Sequence, residues 1–321
     1  MELKKIFNTL ILLFVKSKFV ISCCVCIFFL YNYVYLRNRI TNKTENYQQK
    51  RHIPQIFCIV LTVEKNFNSK TKLMFESWVK KCDNYKFIST ISEKYFNNKL
   101  NQSDPLEINI GFNVVQPPNY KNESYSKLTE KVFETFKYIY DKYPNYDFYL
   151  KADDDTYIFV DNLRLFLTDK DRSKPATFGY DFHVHVDYGY HSGGAGYVLT
   201  NQAMSRLVNY LKQNSTQSNE LYQLEDIDMG NALRKLHVYP QKSVDDFGRE
   251  RFHPLTLDDH YKGIFNFIFE HYLLNNHVEI TKVFSQTGFM NIHRTLSKKE
   301  SNVVVKHLSH FIIWRMKQLE R

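Results

Sequence analysis

Three adjacent carboxylates, Asp153, Asp154 and Asp155, stand between two short apolar runs, Asp147–Leu150 and Tyr157–Val160. Such neighbours repel one another unless a cation neutralises them. On extended backbone, residues two apart point the same way, so Asp153 and Asp155 are expected to converge on one site. Hard oxygen donors of this kind suit Mn²⁺ or Mg²⁺ holding a diphosphate. A solvated acidic turn or a helix N-cap is the plainer alternative. A second segment, Tyr190-His-Ser-Gly-Gly-Ala-Gly-Tyr-Val-Leu199, holds three glycines in four residues, which lets backbone approach a bulky ligand. Its spacing is neither G-x-G-x-x-G nor a Walker loop, and a tight turn between strands accounts for it equally well. In a third segment, Leu224-Glu-Asp-Ile-Asp-Met-Gly230, Glu225 and Asp226 precede an apolar helix running to Leu236. Acidic residues in a first turn commonly just offset the helix dipole. Facing a metal site across a cleft, one of them would instead serve as a general base.

The elements that must carry these groups follow from hydrophobic period. Ile56–Leu61 is a continuous apolar run, the pattern of a strand buried on both faces, and Leu73, Phe75, Trp78 and Val79 after it recur at helical spacing. Trp78 on that apolar face reads as core. Lys86–Ile91 is expected as a second strand and 97–120, rich in Asn and Pro, as a long loop. Leu128, Val132, Phe133, Phe136, Ile139 and Tyr140 mark a helix closing near Tyr143-Pro144. Asp147–Leu150 is then a brief strand whose C-terminal end delivers the aspartates, and in an open α/β sheet ligands bind beyond such ends. The gly-rich segment leads into a helix near Asn201, and the apolar spacing of Val303–Leu319 predicts a packing helix.

The chain has 321 residues and a net charge of +9. Residues 1–54 hold nine Lys/Arg against Glu2 and Glu45, a local +7, which leaves +2 for the rest. So balanced a body lacks the electrostatic footprint of a nucleic-acid binder. The basic excess flanks Phe19–Leu36, 18 residues without a charge, long enough to span a bilayer. The organisation read from this is a cytoplasmic tail at 1–18, an uncleaved transmembrane anchor at 19–36, a stalk at 37–54 and one lumenal domain at 55–321. Cys58 and Cys82 are the two cysteines outside the apolar run. Their pairing in an oxidising lumen and their persistence as buried thiols look alike in sequence. Sequons at Asn42, Asn101, Asn122 and Asn214 tilt toward a lumenal body.

Taken together, the segments resemble the core 1 β1,3-galactosyltransferases of the fringe-like β1,3-glycosyltransferase superfamily. The runs that carry the resemblance are Phe148–Tyr157 with Asp161-Asn-Leu-Arg164, Ser192–Leu199, Glu225-Asp226 with Gly230, and Arg251-Phe-His-Pro254. Weaker echoes run from Cys58 through Trp78 and Cys82 to His293. The resemblance implies a GT-A-type α/β domain with a central mixed sheet in a single-pass type II Golgi or endoplasmic-reticulum membrane protein. It implies UDP-galactose as donor, Mn²⁺ as cofactor and O-linked GalNAc on glycoproteins as acceptor, and it leaves homodimerisation open. Residue by residue it implies metal ligands Asp153, Asp155 and His293, with Asp155 the direct one. Donor contacts fall on Lys127, Asp153, Asp154, Ser192, Gly193 and Gly194. Asp226 is the expected catalytic base, with Glu225 next in line.

The implied reaction displaces UDP in line from an α-linked donor to give a β-linked product, with the base removing the acceptor proton. The family's further cysteines, before and after the Glu-Asp pair and near the C-terminus, are missing here, and losing both partners of a bridge together spares the fold. Two rival readings share the motifs. One is another fringe-like β1,3-GlcNAc or galactosyltransferase with a different acceptor; the other is a non-catalytic, chaperone-like relative.

Overall fold

The structure, a computed structural model, describes residues 52–96, 104–214, 222–245, 250–256 and 313–315. Along the chain the strands are β1 (Ile56–Leu61), β2 (Asn84–Ile88), β3 (Glu107–Asn109), β4 (Asn113–Val115), β5 (Phe148–Asp153), β6 (Thr156–Ile158), β7 (Ala176–Gly179), β8 (Asp181–Phe182), β9 (Tyr190–His191), β10 (Tyr197–Thr200), β11 (Tyr239–Pro240), β12 (Phe252–Thr256) and β13 (Ile313–Arg315). The helices are α1 (Lys72–Ser77), α2 (Glu93–Phe96), α3 (Leu128–Lys142), α4 (Val160–Leu167), α5 (Asn201–Gln213) and α6 (Glu225–Lys235).

β1 is apolar and buried at every position because both its edges and both its faces are covered. It pairs in parallel with β2 and β5 at the centre of an eight-stranded mixed sheet, ordered β11-β7-β10-β5-β1-β2-β4-β3. Strand alternation divides its side chains between two cores. Ile56, Cys58 and Val60 join Trp78, Phe87, Leu163 and Phe252 on one face. Phe57, Ile59 and Leu61 meet Val132, Phe136 and Leu207 on the other. Burying each such side chain contributes roughly 1.5–3 kcal/mol, so the sheet is held from both sides.

Cys58 and Cys82 form a disulfide, tying β1 to the turn before β2 with a Cα separation of 6.1 Å. Trp78 is core as its apolar face implied, and its Nε1 donates to Met74 Sδ at 3.1 Å. Helix α5 starts where Thr200 Oγ1 accepts from Ala203 N at 3.2 Å, a capping bond that satisfies one of the first-turn donors.

The strand that matters for the site is β10. It runs antiparallel to β5 and β7, with Tyr197 opposite Lys151 and Thr200 opposite Phe148. A loop that precedes β10 therefore lies at the same sheet edge as residues that follow β5. Opposite, the polar contacts close the sheet. Gln55 N donates to Asp147 Oδ2 at 2.8 Å, Asn201 N donates to Asp147 O at 2.9 Å, and Asn201 Nδ2 donates to Pro144 O and Tyr146 O at 2.7 Å.

Two expectations are corrected. The stretch read as loop holds the β3–β4 hairpin, paired antiparallel; three-residue strands are too short for a period to register, and the turn signal is Gly111 at φ +97°. Helical spacing predicted a helix through the C-terminal run, yet Ile313–Arg315 is a strand between β12 and β6; a short apolar run fits either period and tertiary pairing decides. The apolar segment Phe19–Leu36, the sequons Asn42 and Asn101, and His293 lie outside the described residues. Among the described residues no helix is long and apolar enough to cross a membrane.

Candidate active site

Asp153 ends β5, and Asp154 and Asp155 form the turn into β6. That turn breaks the two-residue alternation, so the three carboxylates answer to different partners. Asp153 Oδ1 pairs with Lys151 Nζ at 2.9 Å. Asp154 Oδ2 accepts from Thr62 Oγ1 and Asn66 Nδ2, each at 2.7 Å. Lys70 Nζ stands 3.8 Å from Asp154 Oδ1 and 4.0 Å from Asp155 Oδ2. Asp154 and Asp155 are buried and Asp153 is partly exposed.

The glycine segment meets this strand end because β10 is reversed. Gly193 O accepts from Lys151 Nζ at 3.2 Å, Gly194 O from Thr156 Oγ1 at 3.1 Å, and Ser192 N donates to Tyr180 O at 2.9 Å. A Cβ on Gly193 would lie 2.9 Å from Glu225 Oε2 and 3.4 Å from Lys151 Nζ, so a side chain there would collide with the charged groups behind the loop. Gly196 takes φ +72° where the chain turns into β10, a conformation glycine adopts without steric cost.

Glu225 and Asp226 open α6 and differ sharply in surroundings. Glu225 is buried; Tyr197 OH donates to its Oε1 and Lys151 Nζ lies 3.3 Å from its Oε2. Asp226 is partly exposed, and its Oδ2 accepts from Gly193 N at 3.3 Å while Oδ1 accepts from Ile227 N at 3.0 Å. Burial pushes both carboxyls above the ordinary carboxylate range, against the pull of Lys151 on Glu225 and of the Gly193 N–H on Asp226. Burial lowers the proton affinity of Lys151, yet the charges of Asp153 and Glu225 outweigh that and hold it above the usual lysine value. Burial, with Glu225 alongside, keeps the Tyr197 hydroxyl protonated far above its ordinary range.

Asp153, Ser192, Gly193, Gly194, Glu225 and Asp226 thus lie together, linked through Lys151 and the Gly193 backbone, where β5 ends and the loop leads into β10. Lys127 is different. It is exposed at the end of a 3-10 turn, Tyr125–Lys127, and the lysine that reaches inward is Lys131, one helical turn on. Lys131 is buried, donating to Thr62 O at 2.7 Å and Glu123 Oε1 at 2.8 Å, and burial lowers its proton affinity against the charges of Glu123, Asp154 and Asp153. His253 is buried in β12. Among the described residues no three His, Cys, Asp or Glu side chains form a group that could hold a metal ion.

Lys70, Lys131, Lys151 and Tyr197 are the site residues missed from sequence. Lys151 and Tyr197 carried a signal: each interrupts an apolar strand with a polar group, and Lys151 lies two residues before Asp153, on the same strand face. Lys70 carried none.

Residues 119–187 match the galactosyltransferase family model. The glycoprotein-N-acetylgalactosamine 3-beta-galactosyltransferase 1 of Xenopus laevis is 30% identical over 207 residues, 64% of this chain and 52% of that protein; the chain spans about half that relative's length. Both matches support the galactosyltransferase resemblance carried by the sequence motifs. Solved structures with similarity include the galactosyltransferase LgtC bound to donor and acceptor sugar analogs, at 14% identity and TM-score 0.37 over 70% of this chain and 84% of that one. The glycosyltransferase GlyE of Streptococcus pneumoniae is similar at 10% identity and TM-score 0.34, over 79% of this chain and 60% of that one.

Proposed function

From a chain that carries a galactosyltransferase-family segment, we propose an inverting glycosyltransferase of GT-A type that moves galactose from UDP-galactose to the 3-hydroxyl of O-linked GalNAc on glycoproteins. The observation that carries the reading is Asp226, partly exposed beside the Gly193 loop at the sheet edge where β5 delivers its aspartates. The Xenopus relative's name supports galactose as the transferred sugar and glycoprotein N-acetylgalactosamine as the acceptor.

Of the two adjacent carboxylates, Asp226 is the base. Glu225 has one oxygen on Tyr197 and the other on Lys151, both buried, so it cannot reach an incoming hydroxyl without leaving two polar groups unpaired. Asp226 keeps access to the cleft, and burial makes it a better proton acceptor than an ordinary aspartate. It takes the acceptor hydroxyl's proton as the anomeric carbon is attacked from the face opposite UDP. The Gly193 N–H fixes Oδ2 during that transfer.

The reading calls for Mn²⁺, which would have to draw together Asp153 and Asp155, here paired with Lys151 and Lys70 respectively. Asp154 and Asp155 present hard carboxylate oxygens, and their charge already draws the ammonium of Lys70 to within 3.8 and 4.0 Å. Asp153 and Asp155, with His293, would hold the ion, which when bound neutralises charge on the departing diphosphate. Asp154, held by Thr62 and Asn66, fixes the turn on which those ligands sit, and Ser192, Gly193 and Gly194 line the donor side. A type II anchor at Phe19–Leu36 and a Golgi or endoplasmic-reticulum lumenal domain complete the reading.

The test is transfer by the full chain from UDP-galactose to GalNAc-α-Ser, with and without Mn²⁺, with the product linkage determined. A β1,3 product that requires Mn²⁺ supports the proposal. Asp226→Asn is expected to lower kcat by about 10²–10⁴-fold with UDP affinity retained; full activity in that variant would move the base elsewhere.

A further inference from the structure

Lys151 is 1% exposed, and burying an ammonium is costly unless every one of its donors is met. Here three acceptors from three separate segments surround it: Asp153 Oδ1 of β5 at 2.9 Å, Gly193 O of the glycine loop at 3.2 Å and Glu225 Oε2 of α6 at 3.3 Å. An ammonium has three N–H groups and no acceptor, so the count matches. The ring of Tyr197, 5.7 Å from Nζ, closes a further side, and its hydroxyl bonds the other oxygen of Glu225. The absence of a side chain at Gly193, where a Cβ would lie 3.4 Å from Nζ and 2.9 Å from Glu225 Oε2, lets the loop settle onto this pair.

We propose that Lys151 is a positioning residue for sugar transfer, a charged hub that holds the base-bearing helix and the glycine loop in register with the aspartate strand. The proposal rests on the transferase reading for its kinetic part. Lys151 touches neither of the groups that change bonds in that reading. It holds Glu225, whose neighbour Asp226 is the base, and it holds the carbonyl of Gly193, whose own N–H orients Asp226 Oδ2. Both routes end on the same carboxylate. Removing the ammonium leaves Asp153 and Glu225 without their shared counter-charge and frees the loop from the strand. Misplacing a base by about 1 Å costs on the order of 10²-fold in rate.

The experiment combines kinetics with unfolding. Lys151→Met in the full chain is expected to lower kcat by about 10²-fold while KM for GalNAc-α-Ser stays within a factor of two or three of the parent. Lys151→Arg, which keeps the charge, is expected to recover part of that loss. Unchanged kcat in the Met variant, or equal loss in the Arg and Met variants, would overturn the proposal. Independently of activity, urea unfolding of Lys151→Met, Glu225→Gln and the double variant forms a cycle. The double variant, lacking both buried charges, is expected to be at least tenfold more stable in its folding equilibrium than the sum of the single effects; an additive cycle overturns the hub. Should Lys151→Met alone fail to fold, restored folding in the double variant supports the hub, and a double variant equally unfolded defeats it. Failure of the parent chain to transfer any sugar sinks the transferase reading by itself, and the cycle still decides the hub.

Discussion

Thr129 Oγ1 donates to Asp228 Oδ2 at 2.6 Å, joining the first turn of α3 to the first turn of α6. The other oxygen of Asp228 accepts from Tyr222 N at 2.8 Å. One buried carboxylate therefore ties the helix of Lys131 to the helix of Asp226 and to the chain entering it. Thr129→Val keeps the shape and removes the donor, leaving a buried carboxylate oxygen short of a partner. The expected loss is about 1–3 kcal/mol, read as a lower urea midpoint with an unchanged denaturant slope.

The Cys58–Cys82 disulfide encloses a sequence separation of 24 residues. Closing a loop of that length in the unfolded chain is worth about 3 kcal/mol. Replacing both cysteines with alanine should lower the unfolding free energy by roughly that amount, and reductant should shift the parent midpoint while leaving the variant's untouched.

Gly230 lies inside α6, where alanine would ordinarily gain about 1 kcal/mol of helix propensity. Its Cβ, however, would fall 2.6 Å from Tyr190 Cβ and 3.3 Å from Val186 Cγ2, in contact with groups near the backbone that cannot swing aside. Overpacking of that kind costs about 1–3 kcal/mol and outweighs the propensity. Gly230→Ala is expected to melt at a lower temperature than the parent; a higher melting temperature would show that β9 yields.

Burial, reinforced by the charge of Asp181, pushes the Glu250 carboxyl from 4.5 up to about 8. The folded state thus retains a proton that the unfolded chain has released. Between about pH 4.5 and 8 the native state binds more protons, so stability contributed by this group is present below that window, falls through it as pH rises, and levels off above it. Glu250→Gln should flatten this part of the curve and melt above the parent at pH 8. Melting temperatures measured across pH 4–9 for both chains check it, and parallel curves would assign the titration elsewhere.

Much of the sheet is legible because β1 and α3 have unmixed periods: the apolar run Ile56–Leu61 is β1 itself, and the helix expected to close near Tyr143-Pro144 ends at Lys142, whereas β5 runs past the expected Leu150 to Asp153 because Lys151 breaks its apolar run. The three chemical segments were legible as segments. Their meeting was not, since it depends on β10 being antiparallel, and strand direction leaves no trace in the residues of a four-residue strand. The expected convergence of Asp153 and Asp155 assumed extended backbone, whereas the turn at Asp154-Asp155 sends them to Lys151 and Lys70 respectively. Lys127 and Lys131 occupy successive turns, and which of them faces inward is fixed by Glu123 and by Thr62, the latter 69 residues away in the chain, so that helical period alone does not select between them.

The rim built on Gln55, Asp147 and Asn201 is closed by hydrogen bonds within the chain, whereas the opposite rim carries Gly193 and Asp226, which the proposed reading sets against the substrates. Inherited or engineered changes should therefore sort by end of the sheet. Those at Asp147 or Asn201 would surface as poor yield and early clearance of protein whose surviving copies work normally, and those at Gly193 or Asp226 as abundant protein that turns over little.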